Sequence, residues 1–139
     1  MRIGIFRSGF AMDTITAPVT EEIVTALVDN FYREVRADDR LGPIFDAAIA
    51  DWDQHLQIMR DFWSSVLLGT ERYRGCVMSP HFRLPIAGAD FDRWLALFRP
   101  VAQEVLPPEA ALKAITIGER VTAMLHQGMM RMQQAATQS

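Results

Sequence analysis

The sequence lacks the raw material of several common functional centres. It holds one cysteine, Cys76, so no intrachain disulfide can form. A lone thiol fits a reducing compartment, and Cys76 reads either as a passive side chain or as a redox-active one. No apolar run approaches the ~20 residues that span a bilayer. No glycine-rich phosphate loop occurs, and no serine sits in a nucleophile elbow. Repeats and low-complexity tracts are missing too. Charge of one sign does not dominate: the formal net charge is -3, which offers no electrostatic case for nucleic acid. Alternating strand patterns are scarce. Residues Arg2 to Phe6 pass for a short strand, but nothing nearby would pair with it.

What remains is ordinary globular composition. The 139 residues suit one domain with a modest core, half of them are hydrophobic and 22% are charged. The first ten residues carry Arg2 and Arg7 without a long apolar stretch or a small-residue cleavage site. They do not read as a signal peptide, and Met12 is a second candidate start. The expected organisation is an N-terminal extension over 1–15, flexible, a domain over 16–134, and a polar tail over 135–139. A cytoplasmic location is expected.

From Pro18 onward the periodicity predicts helices separated by short breakers. The first covers about Glu21 to Arg36, capped by Thr20, with Ile23, Val24, Leu27, Val28, Phe31 and Val35 in one stripe. Tyr32 lies at the edge of that stripe. Asp38 to Pro43 reads as a tight turn, with a short helical turn over Ala47 to Ala50. A second long helix is expected from Trp52 to Leu68, capped by Asp51 with Gln54 three residues on, and ended by Gly69. Residues 70–79 read as loop, and a short helix starts at Pro80. Asp90 is expected to cap a helix from Phe91 to Val105, which Pro100 would kink or break. Pro107 and Pro108 force a corner. The last helix runs from about Glu109 to Met132, with Leu112, Ile115, Val121, Leu125, Met129 and Met132 inward.

Three histidines are the main candidates for chemistry. His55 lies on an apolar helix face with Met59, Phe62 and Val66. His81 lies on the short helix beside Phe82. The two are 26 residues apart in the sequence, among Met, Phe and Trp side chains with few carboxylates nearby. That is not the close-spaced ligand set of a zinc site. Two histidines across an apolar slot suit a flat apolar cofactor, and haem iron takes an axial imidazole. His126 reads as a solvent-side or haem-edge residue. Taken alone, Tyr32 and Trp94 could equally be core, and Met59 a gap-filler.

A wider series of segments gives these residues a context. It comprises Phe31-Tyr32, Leu41-Gly42-Pro43-Ile44-Phe45, Trp52-Asp53-Gln54-His55, Phe62-Trp63 and Leu67-Leu68-Gly69. His81-Phe82-Arg83-Leu84-Pro85 and Phe91-Asp92-Arg93-Trp94-Leu95 follow. In order and spacing, over residues 20–130, the series resembles the truncated haemoglobins of group III, within the bacterial globin family. The glycine pairs that mark other truncated groups near the first helices are absent.

The resemblance implies an all-α truncated globin, a helical sandwich around one haem b. It implies His81 as the proximal iron ligand and Tyr32, His55 and Trp94 as the distal set that stabilises the ligand. Phe31, Phe45, Met59, Phe62, Phe82, Arg83, Leu84 and Phe98 would contact the haem; Arg83 would either pair a propionate or stay solvated. The implied ligands are dioxygen, nitric oxide and carbon monoxide, with a reductase as partner and neither nucleic acid nor membrane involved. The implied chemistry is that of dioxygen with nitric oxide, or of peroxide, rather than oxygen transport. Enzymatic activity, nitric oxide dioxygenase-like or peroxidase-like, stays open. The alternatives are a haem-based gas or redox sensor acting through a partner protein, and a haem-free helical interaction module.

Overall fold

The computed structural model describes residues 18–75 and 86–138. Expectations for the N-terminal extension, Cys76, His81, Phe82, Arg83 and Leu84 fall outside the described residues. Within them are five helices: α1 Glu21–Ala37, α2 Leu41–Ala48, α3 Trp52–Leu68, α4 Gly88–Val105 and α5 Pro108–Gln138. None is long and apolar enough to cross a membrane.

Helix α1 is the hub. Thr20 accepts a hydrogen bond from the Ile23 N–H at 3.2 Å, and Glu21 and Glu22 sit in the first turn, where the helix dipole favours negative charge. Its stripe of Val24, Leu27, Val28, Phe31 and Val35 is almost fully buried. That stripe packs on α2, α3 and α4, while α4 packs in turn on α5. The shared core adds Leu41, Phe45, Trp63, Phe98 and Ala102. Burying such side chains supplies the main drive to fold.

The corner after α1 departs from expectation. Gly42 and Pro43 do not form a turn that ends the helical region; they lie in the first turn of α2. Proline is tolerated there because a first-turn N–H has no partner within the helix. Asp38 does the capping. Its carboxylate accepts from the N–H groups of Arg40 at 3.0 Å and Leu41 at 2.8 Å. Gly42 is required for closeness: a Cβ there would stand 2.6 Å from the Arg36 carbonyl oxygen. Any side chain would push the corner away from α1.

Helix α3 has the expected bounds. Asp51 accepts from the Gln54 N–H at 3.1 Å, and Gly69 ends the helix in the left-handed region at φ 70°. Helix α4 begins three residues before Phe91, with Asp90 inside its first turn rather than at the cap. It then runs through the exposed Pro100 without interruption. Helix α5 is phased one position off the expected stripe at its start. Ala111, Ala114, Gly118, Thr122, Leu125 and Met129 face inward, whereas Leu112 is 68% exposed and Met132 51% exposed. The spacing of three and four fixes this phase, and the small residues let α5 lie close against α4. The helix continues past Met132 to Gln138.

Candidate functional site

All five helices contribute to one cavity. Tyr32 enters from α1, Leu41 and Phe45 from α2, and Met59, Phe62 and Trp63 from α3. Ile86, Asp90, Phe91 and Trp94 come from the chain leading into α4 and from α4 itself. The last wall is α5, with Gly118, Val121, Thr122 and Leu125. The lining is aromatic and aliphatic with few polar groups, the usual composition of a small-molecule site.

The Tyr32 phenol is the most telling of those polar groups. The residue is 5% exposed. Burial pushes its hydroxyl well above the ordinary tyrosine range. The group therefore stays protonated at any physiological pH. Its ring meets those of Phe31 and His55 edge-on, at centroid distances of 4.9 and 5.2 Å. Trp52 backs both Tyr32 and His55 at 6.0 and 5.6 Å. Trp52 is itself fixed: its indole N–H donates to Asp46 at 3.0 Å, and the Arg36 guanidinium lies 4.4 Å above its ring.

Trp94 reaches the cavity one turn after Asp90 and is half-buried. It stacks on Phe98 at 5.1 Å and meets Phe31 edge-on at 4.8 Å. The structure thus brings Tyr32, Trp94, Phe45, Met59 and Phe62 to one cavity. His55 is not among the lining residues; its ring meets that of Tyr32, which is. Phe31 and Phe98, which are 1% and 0% exposed, stand behind the wall rather than in it. His126 packs against Phe91 at 5.5 Å.

The bacterial-like globin pattern matches residues 19–134. The chain belongs to the bacterial-like globin family. The globin is 36% identical over 85 residues to the group 3 truncated hemoglobin ctb of Campylobacter jejuni, a match covering 58% of this chain and 67% of that protein. It also superimposes on the crystal structure of the group III truncated hemoglobin from Campylobacter jejuni with a TM-score of 0.75. That match has 28% identity and covers 81% of this chain and 93% of the other. The truncated globin fold and the group III resemblance read from the sequence are borne out. Globins bind haem and through it small gaseous ligands, and haem b is the cofactor expected here.

The residues of this globin fit that group. A porphyrin needs apolar side chains from facing helices, which the cavity supplies from all five. The Tyr32 phenol, held protonated by its burial, is one of the few polar groups along that lining.

Several wall residues escaped the sequence reading. Gly118 and Thr122 form an i, i+4 pair in an otherwise apolar helix, and that spacing was the available signal. The Thr122 hydroxyl donates to the Gly118 carbonyl at 3.0 Å, so it is satisfied within its own helix. Asp90 was legible only as a helix-start residue. Its partner, Arg40, lies 50 positions away, beyond any local pattern.

Proposed function

We propose that this globin binds dioxygen and other diatomic ligands either to react dioxygen with nitric oxide or, at the same haem, to reduce peroxide, and does not transport oxygen. The observation that carries this reading is the buried, protonated Tyr32 phenol at the wall of an apolar cavity beside Trp94. A delivery protein must release its ligand readily, whereas buried donors hold a polarised one. In this reading His81 would hold the haem iron; in the sequence it stands five residues before Ile86, which lines the cavity. Five residues reach at most about 18 Å. Phe45, Met59 and Phe62 would hold the porphyrin, with Phe31 and Phe98 behind them, and the family resemblance adds Phe82, Arg83 and Leu84 to that set. Bound haem supplies a coordination position for a diatomic ligand and an electron to reduce it.

The chain's own part is electrostatic. The Tyr32 hydroxyl and the Trp94 indole would donate toward the negative end of the ligand, and His55 would support Tyr32 across their ring contact. Preorganised donors in a dry site act more strongly than water would. Turnover also needs a reductase to return ferric haem to ferrous, which suits a reducing cytoplasm.

Rapid mixing tests this. Ferrous, oxygen-equilibrated protein mixed with nitric oxide should yield one nitrate for each haem oxidised to ferric. The peroxide arm is oxidation of a reduced dye by hydrogen peroxide. Release of unreacted dioxygen with neither product would contradict the proposal.

A further inference from the structure

Asp90 places a carboxylate in a wall that is otherwise nearly apolar. Its side chain is 7% exposed, and it shares the cavity with Ile86, Phe91 and Trp94. A carboxylate removed from water is costly unless it is paired and hydrogen-bonded. Arg40 does most of this. Its Nε donates to Oδ1 at 2.9 Å and its Nη2 to Oδ2 at 3.0 Å, in a two-pronged pair. The Ala87 N–H adds a third bond to Oδ2 at 2.9 Å. Arg93, one turn on, is engaged with Asp38 at 2.7 Å and lends Asp90 a weaker attraction.

The pair is lopsided in its exposure. The Arg40 side chain is 57% exposed, against 7% for Asp90. Water screens the guanidinium and does little for the carboxylate. Losing Asp90 would leave a cation in solvent. Losing Arg40 would leave an anion in the cavity wall.

We propose that Arg40 tunes the redox balance of the bound haem: by neutralising Asp90 it keeps a negative charge out of the cavity and so favours ferrous over ferric iron. The inference rests on haem occupying this cavity. Ferric haem carries one more positive charge than ferrous haem, so an uncompensated carboxylate nearby stabilises the ferric form. The equilibrium concerned is a single-electron one, with the electron supplied by a chemical reductant. Arg40 also ties the α1–α2 corner to the start of α4, so a purely structural role must be separated from a charge role.

A redox titration of the haem-loaded protein, followed by absorbance, makes that separation. Arg40→Gln should shift the equilibrium at least tenfold toward ferric, a fall in midpoint potential of about 59 mV. Arg40→Lys retains the charge and should stay near the parent. Asp90→Asn should move the potential upward by less than a third of that amount. The double variant should match Asp90→Asn, because the anion is gone. If Arg40→Gln and Asp90→Asn shift the potential in the same direction by similar amounts, a loosened corner explains both and the proposal fails. It also fails if Arg40→Lys behaves like Arg40→Gln. Should Arg40→Gln not retain haem, Arg40→Lys must stay near the parent potential and Asp90→Asn must raise it; a fall in either would overturn the proposal. Failure of the underlying haem assignment would show separately, as a parent protein without a haem band.

Discussion

His81→Gly should leave a helical protein that loses its haem unless imidazole is supplied. An axial imidazole is the one covalent link between a globin chain and iron; the rest of the grip is apolar contact. Even outer partners of a metal site change affinity by roughly 10–100-fold when removed. Losing the ligand itself should raise haem loss by at least that factor. Transfer of haem to an excess of apomyoglobin, followed by absorbance, measures it. Added imidazole should restore a normal ferrous spectrum, because Phe45, Met59 and Phe62 reach the cavity from α2 and α3, outside the segment that carries His81. His55→Gly should keep the haem, since His55 stands against Tyr32 at 5.2 Å and not on the cavity wall. If His55→Gly loses the haem and His81→Gly keeps it, the two faces are reversed.

Tyr32→Phe should speed dioxygen release about tenfold or more, the equivalent of ~1.4 kcal/mol. The substitution removes a hydroxyl and almost no volume from a ring held by Phe31, His55 and Trp52. A net hydrogen bond contributes about 1 kcal/mol, and roughly 1.5–3 kcal/mol when one partner is charged. Carbon monoxide carries less charge on its outer atom, so its release should change much less. Trp94→Phe should act in the same direction. Because the indole also stacks on Phe98 at 5.1 Å, that variant mixes lost donation with opened space. Stopped-flow release of both gases separates the two effects. Equal acceleration of both gases would mark a steric gate, and no change in either would mark Tyr32 and Trp94 as packing.

The parts of this structure legible in the sequence are those set by local chemistry. Asp51 and Gly69 bracket α3 because a carboxylate cap and a left-handed glycine act within a few residues. The α1 stripe is legible because every third or fourth residue is branched or aromatic. Legibility fails where a distant partner decides. Gly42-Pro43 looks like a turn until Asp38 caps a helix across it. Leu112 looks inward until the small faces of Ala111 and Ala114 set the phase of α5 against α4. In the site, Tyr32, Phe45, Met59, Phe62 and Trp94 were named through the family resemblance, and all five line one cavity. The Arg40–Asp90 pair was not, because each residue taken alone resembles an ordinary helix-end charge.

The central claim is that this cavity holds one haem b bound through a histidine. The most direct test is the absorbance spectrum of purified protein titrated with haem b, first ferric, then reduced and exposed to carbon monoxide. The account predicts a Soret band that saturates at one haem per chain, and a ferrous carbonyl spectrum typical of an imidazole-ligated haem. A titration without saturation, or a spectrum indistinguishable from free haem, would contradict it.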